Sequence, residues 1–183
     1  MSRVVLEAQP SWAAWGAQAA DNRCMPLAAI ALGSNLGDRE RNLREAIARI
    51  GELGRVCAVS SFHDTDPVGY IDQPRFLNAA LLVETELQPV ELMGALLAIE
   101  RALGRDRAGS VPKGPRILDL DLLLYGGLTV HTPATADHPT LTLPHPEMHL
   151  RRFVLAPLAE IAPEMIHPIT GRTITELLTN LPV

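Results

Sequence analysis

The chain has 183 residues, 47% of them apolar and 20% charged, with a net charge of −5 at pH 7. That length suits one domain with a real core, and an acidic balance without any basic run argues against nucleic acid as a partner. Cys24 and Cys57 are the only cysteines and no apolar run reaches membrane-spanning length, which excludes a disulfide framework and fits a reducing, cytoplasmic setting.

Residues 1–24 are Ala-rich, weakly patterned and hold both tryptophans, Trp12 and Trp15. They read as an N-terminal extension, either an appendage that packs on the surface or a poorly ordered leader with Met25 as the more natural start. Leu27 to Leu32 is a short apolar strand that runs into the turn Gly33-Ser34-Asn35-Leu36-Gly37-Asp38. Leu36, Leu43, Ala46, Ile47 and Ile50 recur at helical spacing after it, and Gly51 and Gly54 close the helix. The turn lacks the spacing and the lysine of a phosphate loop, so its Ser, Asn or Asp is expected to cap the helix.

Val56 to Phe62 reads as a second strand, His63 to Arg75 as a loop rich in turn formers, and Phe76 to Thr85 as a third strand. Asn78 shares a face with Phe76. It is either a buried amide satisfied by backbone or a reader of the edge of a heterocycle. Pro89 suits the first turn of a second helix, whose stripe is Leu92, Ala95, Leu96, Ile99 and Leu103. A basic loop from Arg105 to Lys113 follows.

Ile117 to Tyr125 reads as a strand of about nine residues. Strict alternation puts Leu118, Leu120, Leu122 and Leu124 on a core face, and Ile117, Asp119, Asp121, Leu123 and Tyr125 on the other. Two carboxylates roughly 6–7 Å apart on one face disfavour each other's ionisation unless a cation lies between them. A hard ion such as Mg²⁺, shared with substrate phosphates, meets that need, and Arg116 adds a fork of donors for phosphate oxygens. The plain alternative is an edge strand whose polar face meets water. Leu128 to Leu143 is expected to be irregular around one short strand, Leu143 to Met148 to turn into a helix that ends near Pro157, and a last helix to span about Thr173 to Thr179. The sum is an α+β sandwich, a mainly antiparallel sheet covered by helices.

Several blocks fall in an order with a family likeness: Ala31 to Asp38, Ser60-Ser61-Phe62, Asp72-Gln73-Pro74-Arg75-Phe76-Leu77-Asn78-Ala79-Ala80, Gly114-Pro115-Arg116 through Asp119-Leu120-Asp121, and Leu143-Pro144-His145 with Arg151 and Phe153. From about Leu27 to Leu178 the chain closely resembles 6-hydroxymethyl-7,8-dihydropterin pyrophosphokinase, an enzyme of folate biosynthesis. The resemblance implies a ferredoxin-like α/β sandwich and a single domain over 25–183. It also implies a Mg²⁺-dependent transfer of pyrophosphate from ATP to the pterin hydroxymethyl group, releasing AMP. Asp119 and Asp121 would hold two Mg²⁺ ions. Arg105 and Arg116 match phosphate-facing arginines, with Arg107 a further candidate beside them. Phe76 and Phe153 match two aromatics that sandwich the pterin. Asn78 would bond its edge, helped by backbone groups of Thr65 to Val68. His145 and Arg151 match positions near the nucleotide. Glu100 matches an ATP-contacting glutamate or is simply part of a helix surface. Lys113 and Pro146 stand where relatives carry aromatics. Expected partners are ATP, a dihydropterin and neighbouring folate-pathway enzymes.

Two other classes compete. A non-catalytic nucleotide- or pterin-binding module would lack one of the acids or Arg116, yet all three are present. A metal-dependent phosphohydrolase would need a placed water and a base near the metals.

Overall fold

A computed structural model describes residues 25–105, 114–135 and 140–182. The extension 1–24, Arg107, Lys113 and part of the segment from Thr132 to Thr140 lie outside the described residues. Strands β1 (Leu27–Ser34), β2 (Arg55–Val59), β3 (His63–Thr65), β4 (Phe76–Glu84) and β5 (Asp119–Tyr125) form one sheet, with helices α1 (Arg39–Ile50) and α2 (Pro89–Ala102) between them. The order is β2-β4-β1-β5, with β3 paired to β4, and every pairing is antiparallel. Two β-α-β halves interleaved this way make the ferredoxin-like arrangement.

Both faces of the sheet are buried. Ile30, Leu32, Leu81, Leu118, Leu120 and Leu122 pack on Leu43, Ala46 and Ile50 of α1 and on Leu92 and Leu96 of α2. The other face meets α3 (Arg152–Ile161) and α4 (Ile174–Thr179), where Ala29, Ala80, Leu82 and Leu124 touch Val154, Leu155, Leu158 and Leu177. Asp38 caps α1 by accepting from the Arg41 amide at 3.1 Å, and Thr173 caps α4 through Glu176.

Four expectations need correction. The register of β5 shifts between Ala29 and Ile30, so Leu123 is an extra residue and alternation breaks there. Leu124 therefore packs under α3, while Tyr125 joins the α1–α2 core. His63–Thr65 is a short strand and not loop, because its backbone pairs with Phe76–Asn78. The segment after Gly127 carries two short strands, β6 (Val130–Thr132) and β7 (Leu141–Leu143), which pair with each other. A single 3-10 turn at Met148–Leu150 precedes α3, and α3 runs through Pro157 to Ile161. Pro157 removes one helical hydrogen bond, yet it is buried with Leu158 against the sheet, and that packing carries the helix onward.

Candidate active site

On the face beneath α3, the register sets Asp121 opposite Ala31, and Asp119 opposite Gly33, which in turn faces Asn78. Small residues along β1 leave room, and a cavity of about 110 Å³ opens there. Asp119, Asp121 and Asn78 rise from its floor; Thr65, Val68, Phe76, Arg116, Arg151 and Phe153 wall it. Strand alternation thus brought the two acids onto one face and into one cavity with both aromatics.

Asp119 is held by two guanidinium groups. Arg105 bonds Oδ1, and Arg116 Nη1 donates to Oδ2 at 2.7 Å. The Arg116 guanidinium also lies over the Phe76 ring, 5.4 Å from its centroid. Arg105 pairs with Glu100 as well. Glu100 is only 1% exposed, and its Oε1 accepts from the Leu120 amide at 2.8 Å. It is therefore not a helix-surface residue; it ties α2 to β5 directly beneath the acids.

Asp121 has a different environment. Burial, then the neighbouring Asp119 charge, push its carboxyl up to about 6, with Arg151 opposing the rise. Arg151 Nη1 stands 3.9 Å from Asp121 Oδ2, pairs with Glu147, and places its guanidinium 5.7 Å from the Phe153 ring centroid. His145 lies just outside the cavity lining and donates its amide to Leu123 O at 2.9 Å. Burial, followed by the Arg151 charge, lowers the pKa of its imidazole, which keeps the ring neutral at pH 7.

On the aromatic side, Asn78 is 6% exposed and donates from Nδ2 to Thr65 Oγ1 at 2.7 Å. Its partner is a side chain, not backbone. The β3–β4 connection is pinned at its ends: Arg75 bonds Asp64 and Asp66, and Arg39 donates to Asp64 Oδ2 and to Arg75 O, both at 2.9 Å.

Ser34, Asn35 and Asn42 were missed as parts of the site. Ser34 Oγ donates to Ile117 O at 2.5 Å, and Asn42 Nδ2 reaches both Ser34 Oγ and Leu36 O. Asn35 accepts from the Arg116 amide at 2.7 Å. These residues hold the segment entering β5 and do not cap α1. Since Asp38 stands immediately before Arg39, it is the natural cap, and that leaves the polar groups of Ser34 and Asn35 in need of other partners.

The family profile for 7,8-dihydro-6-hydroxymethylpterin-pyrophosphokinase matches residues 29–163. The chain is 48% identical over 141 residues to the 2-amino-4-hydroxy-6-hydroxymethyldihydropteridine pyrophosphokinase of Bacillus subtilis, covering 76% of this chain and 80% of that protein. With the Pseudomonas aeruginosa protein of the same name, identity is 42% over 155 residues, covering 84% and 90%. The Folic acid synthesis protein fol1 of Schizosaccharomyces pombe is 35% identical, but this chain spans only 20% of its length. A solved Plasmodium falciparum HPPK-DHPS shares the fold, with a TM-score of 0.67 at 15% identity, and the match covers 87% of this chain and 45% of that one. From the matched profile and the identity to bacterial relatives of similar length, the chain belongs to the 7,8-dihydro-6-hydroxymethylpterin-pyrophosphokinase family.

Proposed function

We infer that this chain transfers the pyrophosphoryl group of ATP to the hydroxymethyl oxygen of 6-hydroxymethyl-7,8-dihydropterin, giving AMP and the pterin diphosphate in folate biosynthesis. The observation that carries the reading is one cavity that receives Asp119 and Asp121 together with Phe76, Asn78 and Phe153. Phe76 and Phe153 are suited to stacking on the two faces of a flat pterin ring. Asn78, oriented by Thr65, reads the ring edge with backbone groups of the Thr65–Val68 segment. Arg105 and Arg116 neutralise charge on the moving phosphoryl oxygens. Glu100 positions Arg105, while His145, Arg151 and Arg107, the last outside the described residues, serve the nucleotide side.

Two Mg²⁺ ions fit the donor set on Asp119 and Asp121. The acids are hard oxygen ligands, and burial followed by the neighbouring Asp119 charge raises Asp121, a strain that a bound cation relieves. The rest of each coordination shell falls to water and phosphate oxygens, so nucleotide binding comes first. When bound, the ions supply charge stabilisation across both ends of an in-line displacement at the β-phosphorus. The chain's own part is to orient the hydroxymethyl oxygen toward that phosphorus and to hold arginines where negative charge gathers.

Residues 25–183 act as one domain in this reading, residues 1–24 are an extension without chemistry, and the protein works in the cytoplasm beside other folate-pathway enzymes. Incubation with ATP, Mg²⁺ and hydroxymethyldihydropterin should yield AMP, not ADP, and a blank without pterin should yield neither. Asp119→Ala or Asp121→Ala should abolish product; near-normal turnover by either variant would overturn the metal assignment.

A further inference from the structure

The tandem serines between β2 and β3 lie outside the cavity lining, yet each is committed to a different layer. Ser60 serves the sheet: its amide donates to Ala80 O and its hydroxyl accepts from the Ala80 amide, both at 2.9 Å. Ser61 serves α3. Its amide donates to Glu160 Oε2 at 2.8 Å, and its hydroxyl donates to Glu160 Oε1 at 2.8 Å. His63, the first residue of β3, adds a third donor, with Nε2 2.6 Å from the same Oε1. One carboxylate near the end of α3 thus gathers three donors from the chain entering β3. Against the cost of burial, the two Ser61 bonds and then His63 hold this carboxyl below its ordinary value, so it is ionised at neutral pH.

Glu160 follows Phe153 by about two helical turns, so both side chains leave α3 on the same side. His63 and Thr65 alternate along β3 and likewise share a face. Phe153 and Thr65 both line the cavity, where the Thr65 hydroxyl accepts from Asn78. We propose that Glu160 is a positioning residue for the pterin slot: its bonds to Ser61 and His63 fix the spacing between the aromatic wall on α3 and the edge-reading strand β3. The inference rests on the assignment of Phe153, Thr65 and Asn78 to the pterin made above. The two acids stand on β5, separated from β3 by β4 and β1, so the brace bears on pterin more than on nucleotide.

The test is a double-mutant cycle on Glu160→Leu and His63→Phe. It is read as the Kd of 6-hydroxymethylpterin, followed by its fluorescence with α,β-methylene ATP and Mg²⁺ present, and nucleotide Kd and Tm are measured in parallel. Glu160→Leu should weaken pterin binding by about tenfold and nucleotide binding by less than about threefold. His63→Phe should give a smaller loss of the same kind. The double variant should bind pterin no more weakly than Glu160→Leu alone, because both changes act through one carboxylate. Glu160→Gln keeps an acceptor for the Ser61 amide and should fall between Glu160→Leu and the native chain. Should Glu160→Leu fail to fold, the pterin-selective loss is read from His63→Phe and Glu160→Gln. Native pterin affinity in every folded variant overturns the inference, as do losses that simply add in the double variant. Equal losses for both ligands with a lowered Tm, the mark of a merely structural role, overturn it too. A native chain that binds nucleotide but no pterin overturns the functional assignment itself, and this inference with it.

Discussion

A β-carbon on Gly33 would lie 3.0 Å from the Asn78 Oδ1, closer than side chains ordinarily approach. Gly33 sits between Asn78 and Asp119 in the cross-strand row, so the absence of a side chain there sets the depth of the cavity floor. Gly33→Ala should push the Asn78 amide aside and raise the KM for pterin by about tenfold, a loss of roughly 1.4 kcal/mol, with a smaller change for ATP. Steady-state kinetics with each substrate varied in turn checks this, and equal effects on both KM values would contradict it.

Asn78→Ala removes the polar group from the same row. Pterin binding should weaken by at least about tenfold and nucleotide binding by less than threefold, because a site built to hydrogen-bond a heterocycle edge loses a specific partner. Direct titration of each ligand reads the difference. Matching losses would remove Asn78 from its assigned role.

Asp121 should exchange stability for function. Its carboxyl titrates near 6 in the fold against an ordinary value of 3.8, so the folded chain holds an extra proton between those limits. Stability therefore declines as pH rises through that window and stays lower above it. Asp121→Asn should raise the Tm of the ligand-free protein at pH 7.5 by a few degrees, on the order of 1 kcal/mol, with the gain vanishing toward pH 4. The same variant should be inactive. Melting curves in EDTA at the two pH values decide the matter, and a lower Tm at pH 7.5 would refute it.

Glu100→Ala should be costly to the fold. The change strips the buried partner from Arg105 and from the Leu120 amide, and removing one member of a buried ion pair costs about 3 kcal/mol or more. Urea denaturation gives the value. Glu100→Gln, which keeps an acceptor for the amide, should recover part of the loss.

Much of this architecture was legible in the sequence because its signals are local. Helical spacing from Leu43 to Ile50, proline at the head of α2 and the Asp119/Asp121 alternation each need only neighbouring residues. The Leu123 bulge was not legible, since Leu122, Leu123 and Leu124 are alike and nothing in their chemistry marks where the period breaks. β3 was hidden because His63, Asp64 and Thr65 have turn-like polarity, and only pairing with β4 makes them a strand. The turn left the cap open among its Ser, Asn and Asp, and the role of Asn35 was hidden because capping a helix and tying down a loop both use the same side-chain amide. The partners that distinguish them, Gln73 and Arg116, lie 38 and 81 residues away.

The bulge has a structural return at the far end of β5. By turning Tyr125 toward the first helical layer, it lets the phenol donate to Leu87 O at 2.8 Å, just ahead of α2, while Glu100 near the other end of that helix grips the Leu120 amide. α2 thus works as a gauge block, clamped to the strand at two points, and the longitudinal placement of the acids is set by its length. One residue inserted into α2 would shift one clamp by about 1.5 Å and turn it by about 100°, which no side-chain adjustment at the cavity could absorb. Variation is therefore better tolerated at the exposed Ile71 than by insertion within α2.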